Sequence, residues 1–468
     1  MQQSRTEKKN FFNTVKGDRL TFNSVKSLIY SVYKSCFKVY RMDSTQVALH
    51  YVSGLLQCEK GHENMERMVE KVRDSDYARY IHFLSSSPWD YARVNEITMQ
   101  EVSRQLSEQK AISKKPTALT IDETSHLKKG TKSVGVSRQY AGVSGKVDNC
   151  QVSVHTSLSN GKYCGLTGTR LYLPASWTED AERCEAAGIP LAERRYRTKP
   201  ELALELVQEA IASGVDFDFI NGDGLYGHNS ELSRALDDLG KLYVLDIHKD
   251  ERVFSREPTL SVPEKKTGRG RTPTLLHPDI ASMQVQDYMK TLSGKDFKEV
   301  KVRRTAKGWK KCKVHTATVW QWDGKEGRAK KRTLLITVSD KVKYSLSNGE
   351  QEAYSAKQWA YFQCCRYWVE RCFDDSKNEL GMSGYQVTGW LAWQHHMALV
   401  MMAGFYILTM KLQYQQEMPL LSVRDARLMV IAINFATEKE ADLCMEHIHK
   451  RHKQRQKDID RHYKNSEF

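Results

Sequence analysis

Apolar and polar positions change their period twice along the chain. From Val25, apolar residues recur at Val25, Leu28, Ile29, Val32, Cys36 and Tyr40, a helical spacing. Asp43 with Gln46 reads as a capping box for a helix reaching Leu56. Met65, Met68, Val69 and Val72 mark a third helix. Asp74 reads as the cap of a fourth carrying Tyr80, Ile81 and Leu84. Ser87-Pro88 reads as an N-cap followed by proline at the first helical position. Residues 1–112 are thus expected to form an all-helical domain that binds DNA.

At Pro116 the period shortens to two. Strands are expected at Thr117–Asp122, Cys150–Leu158 and Lys162–Leu173, with a turn at Ser159-Asn-Gly161. Thr198-Lys-Pro200 opens a helix with Leu202, Leu206, Ala210 and Ile211 inside. A strand over Asp216–Ile220 stops at Asn221-Gly-Asp223, a helix covers Asn229–Leu239, and a strand covers Leu242–Ile247. This order predicts a mixed α/β sheet. Residues 251–353 then read as a β-rich insertion, with strands at Val300–Arg304, Lys313–Trp322 and Arg332–Ser339. A long helix from near Tyr354 past Lys377 and a buried one over Trp390–Gln413 return to the first pattern. The expected division is 1–112, a catalytic domain in two parts over 113–250 and 354–415, the insertion between them, and a helical C-terminal region 416–468 with a basic tail.

Charge narrows the function. Lys plus Arg number 72 against 57 Asp plus Glu, a formal +15, which suits a polyanionic partner, nucleic acid before an anionic membrane surface. The N-terminus leads into no apolar run of the secretory type. The stretch Val387–Met410 lacks charge but holds Gln394, His395 and His396, so it reads as a buried helix and not a membrane span. Ten cysteines without a CxxC pair suggest a reduced, cytoplasmic chain.

Two carboxylates stand where strands end. Asp122 closes the first strand beside the basic turn Lys128-Lys-Gly130, and Asp223 follows the fourth. Neighbouring carboxylates repel, and a hard divalent cation with oxygen ligands removes the conflict. A third is expected from the helix after the insertion. Glu370 lies on one stripe with Arg366 and Lys377, while Asp374 shares the general face and Asp375 and Glu379 compete. Strand, strand and helix carboxylates can hold two metal ions about 4 Å apart for phosphoryl transfer.

The carrying segments are Asp122-Glu-Thr, Lys128-Lys-Gly130, Ser133–Tyr140, Gly145-Lys146, Asn149-Cys-Gln151, Leu171–Trp177, Ala187–Pro190, Thr198-Lys-Pro200, Asp223–Gly227 and Trp368-Val-Glu370. Together they resemble the DDE transposases of bacterial insertion sequences, in particular the insertion sequence 701 family, near the insertion sequence 4 group. The resemblance implies a ribonuclease H-like catalytic domain in which Asp122, Asp223 and Glu370 are the catalytic metal ligands. It implies Mg²⁺, with Mn²⁺ as substitute, two ions per site. The family signature places a tyrosine seven residues before its glutamate; here that position is Gln363.

The implied reaction is cleavage at terminal inverted repeats and transfer of the exposed 3′ end to target DNA. Partners are double-stranded DNA and a second copy of the chain on paired ends, in a cytoplasmic, nucleoid-associated setting. DNA-contact residues expected on this basis are Lys128, Lys129, Arg138, Tyr226, Arg269, Arg271, Trp320, Arg366 and Lys377. The alternatives are a ribonuclease H-like nuclease without strand transfer and a catalytically inactive DNA-binding derivative.

Overall fold

The computed structural model describes residues 25–264, 272–434 and 436–464. In chain order, helices α1 (Thr45–Gln57), α2 (Met65–Lys71), α3 (Tyr77–Ser85) and α4 (Tyr91–Ser113) precede strands β1 (Ala118–Leu127), β2 (Ser137–Ala141), β3 (Lys146–Ser159) and β4 (Cys164–Leu171). Helix α5 (Lys199–Ala212), strand β5 (Phe219–Gly222), helices α6 (Gly224–Gly227) and α7 (Ser230–Asp238) and strand β6 (Tyr243–Ile247) follow. Strands β7 (Lys298–Thr305), β8 (Gly308–Gln321), β9 (Lys330–Val338) and β10 (Val342–Ser347) come next. The chain closes with helices α8 (Ala356–Cys364), α9 (Tyr367–Glu379), α10 (Trp390–Gln413), α11 (Val423–Asn434) and α12 (Glu438–Lys464).

Several helix starts differ from the expected ones, and the caps show why. Asp76 and Asp90, not Asp74 and Ser87, accept from the backbone N–H groups of Arg79 and Arg93, at 2.8 and 2.9 Å. A carboxylate three residues ahead of an orphan N–H satisfies it directly. Asp43 lies one position before the N-cap of α1 and accepts instead from Thr45 N. Thr198, by contrast, forms the expected capping box with Glu201.

Two compact units divide the chain. Unit 1 takes residues up to Lys115, Asp122–Asp216 and Trp368 onward; unit 2 takes Pro116–Ile121 and Phe217–Tyr367. The N-terminal helices, expected as a separate domain, belong to unit 1. Its centre is α10, whose residues from Met397 to Ala403 are all buried, packed on α1, α3, α4 and β4. Gln105 of α4 donates to Thr409 at 2.8 Å, and Tyr51 of α1 meets His396 Nδ1 at 2.9 Å. Among the described residues no helix is long and apolar enough to cross a membrane. Within this unit β3 pairs antiparallel with β2 through Lys146–Cys150 and with β4 through Ser153–Ser159.

Unit 2 is built on a mixed sheet. The order is β7-β8-β9-β10-β6-β5 and then the first residues of β1. Pairing is antiparallel from β7 to β6 and parallel for β6/β5 and β5/β1. The expected insertion is therefore continuous with the sheet: Leu346 of β10 pairs with Leu245 of β6. Trp359, Ala360 and Phe362 of α8 cover one face, against Phe219, Val244, Cys312, Val314 and Leu335. Val319, Leu334, Ile336 and Leu346 form a core with Val285 and Val253.

Candidate active site

Asp122 sits inside β1 and not at its end, because the strand continues through a buried Thr124-Ser-His126. Its carboxylate is 8% exposed, and its Oδ1 accepts from the Glu123 N–H at 2.9 Å. Alternation turns Glu123 to the other face, where Lys199 of α5 meets it at 3.0 Å. That removes Glu123 from the carboxylates available beside Asp122.

Asp223 follows β5 and caps α6, accepting from Leu225 N at 2.9 Å. The turn is tight. A Cβ on Gly222 would lie 2.8 Å from Ile121 Cγ1, and one on Gly227 would lie 1.9 Å from the Asp246 carbonyl oxygen. Only glycine admits that approach of backbone to backbone.

The long helix expected from Tyr354 is broken into α8 and α9. Glu370 is exposed in the first turn of α9. Further along that helix, Lys377 Nζ donates to the Ser125 carbonyl at 2.9 Å, which ties α9 to β1 inside unit 1. Phe373 packs on the His155 ring, with centroids 5.3 Å apart. Burial lowers the Lys377 ammonium to about 8. Asp375 is bound by Arg371, and Glu379 by Arg427 at 2.9 Å. Asp374 is contacted by Arg371 at 3.1 Å and by Asn378. The three competitors to Glu370 are thus held by neighbouring side chains.

Arg366 lies between the two helices, with Nε 3.4 Å from Asp246 Oδ2 on β6. Asp246 also accepts from Ser345 Oγ at 2.6 Å. This acid was not singled out from the sequence, although a charged residue inside the apolar run Leu242–Ile247 is a visible signal. No group of three or more His, Cys, Asp or Glu able to hold a metal occurs among the described residues.

The remaining expected DNA contacts fall in different settings. Lys129 and Arg138 are exposed. Lys128 turns inward: its Nζ lies 3.4 Å from the Tyr385 ring centroid and 3.2 Å from that residue's carbonyl oxygen, and burial lowers it to about 8. Tyr226 is 0% exposed, so its ring is core packing and not a surface for DNA, a correction to the expectation. Trp320 is half-buried on β8 and its backbone bridges Phe254 at 2.8 and 2.9 Å. Arg269 and Arg271 lie outside the described residues.

A chain of buried polar groups runs beneath β1 in unit 1. His126 Nε2 meets Ser153 Oγ at 3.2 Å, and Ser153 Oγ meets His155 Nε2 at 2.8 Å. His126 Nδ1 meets Ser383 Oγ at 3.0 Å. The Tyr385 hydroxyl donates to Gln151 at 2.6 Å. These contacts fix β1, β3 and the segment before α10 against one another.

Comparison with known proteins places this geometry. The family model for the DDE superfamily endonucleases matches residues 33–309, more than half of the chain, which includes Asp122 and Asp223 and stops before Glu370. The probable transposase for insertion sequence element IS701 of Microchaete diplosiphon is 27% identical over 327 residues, 70% of this chain and 71% of that protein. Among solved structures, a piggyBac transposase synaptic complex with hairpin DNA aligns over 91% of this chain and 81% of its own, at 11% identity and a TM-score of 0.36.

Proposed function

The chain belongs to the DDE superfamily of endonucleases as an IS701-like transposase, and from that premise we propose that it cuts and rejoins DNA at the ends of an insertion sequence with Asp122, Asp223 and Glu370 as its catalytic carboxylates. One observation carries the assignment of residues. In unit 2, β1 and β5 run parallel, with Ala118 beside Phe219, Leu119 beside Ile220 and Thr120 beside Asn221. Each pair is 101 residues apart, as are Thr117 and Asp218, and Asp122 and Asp223 have the same separation. The chain therefore delivers a carboxylate at matching register positions of two parallel strands, as the ribonuclease H-like reading requires. Glu370 joins this reading through α9, which Lys377 ties to β1.

The donor set is oxygen only, which fits Mg²⁺ or Mn²⁺ better than a softer ion. Bound there, two such ions would supply activation of a water or 3′-hydroxyl and stabilisation of the leaving oxygen. The protein's own residues supply the rest. Burial of Asp122 limits its freedom, capping of α6 orients Asp223, and the Lys377 contact fixes the helix that presents Glu370. Lys129 and Arg138 are available to phosphates. The substrate is duplex DNA, at terminal inverted repeats and at a target, handled by two copies of the chain in the cytoplasm at the nucleoid. The test is strand transfer from pre-cleaved ends. The proposal expects their covalent joining to a target plasmid with Mg²⁺; cleavage without joining would leave a nuclease instead.

A further inference from the structure

The most concentrated charge among the described residues lies far along the chain from the three carboxylates' motifs, on the hairpin of β7 and β8. Between Lys298 and Lys313 stand eight basic residues and one acid, Glu299. One face of the hairpin is core: Val302, Cys312 and Val314 pack with α8. The other face carries exposed Lys301, Arg304, Lys311 and Lys313, with exposed Lys307 in the turn. The register sets Lys301 directly opposite Lys311 and Arg303 opposite Lys310. Like charges facing each other across a ladder are unfavourable. Internal acids relieve this only in part: Lys310 meets Asp340 at 2.8 Å and Lys311 meets Glu299 at 3.5 Å.

Lysine on an exposed sheet edge commonly guards against pairing with another chain. That role accounts for β7, which is the edge. It does not account for β8, which is paired on both sides by β7 and β9 yet carries Lys310, Lys311 and Lys313. Trp309 adds a second signature. Its half-buried ring lies 5.7 Å from Lys301 Nζ and 5.2 Å from the Arg304 guanidinium carbon. The aromatic holds two cations on the outward side, ready for an anion.

We propose that the β7–β8 hairpin is a docking surface for the phosphate backbone of double-stranded DNA. It binds without regard to sequence, because lysine-rich contacts to phosphates carry no base information. A polyanion laid along this face replaces cross-strand repulsion with attraction. The proposal rests on the transposase reading for the identity of the polyanion, and it adds where on the chain the DNA outside the reacting phosphate is held.

The test compares the full-length wild type with a variant carrying Lys301→Gln, Lys307→Gln, Lys311→Gln and Lys313→Gln. A charge control carries glutamine at Lys60, Lys71, Lys162 and Lys249, four exposed lysines elsewhere. Binding to a random-sequence duplex is measured between 50 and 200 mM NaCl. Each phosphate contact contributes about 0.9 to the slope of log K on log salt, so the hairpin variant should be shallower by about 3 and at least ~10-fold weaker at 100 mM. The control should keep most of the wild-type slope. Without DNA, the hairpin variant should melt at or above the wild-type temperature, since repulsion has been removed. A wild type that binds DNA beside a hairpin variant with equal affinity and slope overturns the docking surface and leaves the transposase reading standing. Equal losses in the control and the hairpin variant, a lowered melting temperature, or tighter binding of single-stranded RNA than of duplex DNA also overturns it. Wild-type binding through the hairpin without Mg²⁺-dependent nicking removes the transposase reading alone.

Discussion

Acidification puts protons on three imidazoles that unit 1 keeps neutral. His126, His155 and His396 are buried at 0–1% exposure, and burial drives each below the ordinary imidazole range, His155 and His396 to about 3. Lys377 adds repulsion at His126 and His155, and Lys128 at His126 and His396. The unfolded chain binds these protons below pH 6.5 while the folded chain does not, so stability is full above 6.5 and falls with pH until the folded values are reached. At pH 5 each histidine costs about 2 kcal/mol, together about 6 kcal/mol, against a typical total of about 5–15 kcal/mol. His395 is left out of that sum because both its ring nitrogens face carbonyl oxygens, of Leu84 at 2.8 Å and Trp89 at 3.3 Å, which favour the protonated ring. The assay is urea unfolding from pH 7.5 to 5, followed by tryptophan fluorescence, since Trp89, Trp177 and Trp393 are buried in this unit. His396→Gln should remove about a third of the acid-induced loss whatever its effect at pH 7.5. An unfolding free energy that stays flat from pH 7.5 to 5.5 would refute the reasoning.

Gly227→Ala forces a Cβ against the Asp246 carbonyl oxygen at 1.9 Å and should cost at least about 3 kcal/mol in urea unfolding, more than an ordinary overpacked site. Arg427 is 7% exposed and donates to the Leu56 and Cys58 carbonyls and to Glu379, each at 2.9 Å. Its replacement by Met should cost about 3–5 kcal/mol by leaving Glu379 and two carbonyls without their donor, read by thermal denaturation. Asp90→Ala removes the cap of α4 and should cost about 1 kcal/mol; a change below ~0.3 kcal/mol would mean that the cap is dispensable.

How much of this was legible in the sequence depends on range. The strands near Asp122 and Asp223, α5 with its capping box and the buried α10 follow from local period and cap chemistry. The break after Cys364 does not, because Tyr354–Lys377 keeps helical spacing through it. The junction is set by tertiary partners, such as the Asp246 carboxylate beside Arg366. Strand β2 was missed because its alternation is polar, Ser137-Arg-Gln-Tyr-Ala141, and only Ala141 is buried. Tyr226 and Lys128 read as surface groups from neighbouring glycines and charges, yet contacts with distant residues bury one ring and turn one ammonium inward. The insertion's place in the sheet is a pairing over about 100 residues, Leu245 with Leu346, that no local pattern announces.

The central claim is that Asp122, Asp223 and Glu370 act together on DNA. The most direct test incubates a duplex carrying the element's end with Mg²⁺ and compares wild type with Asp122→Asn and Glu370→Gln. The account expects nicking at the end by the wild type, and by the variants undiminished DNA binding with no nick. Nicking by either variant at the wild-type rate would contradict it.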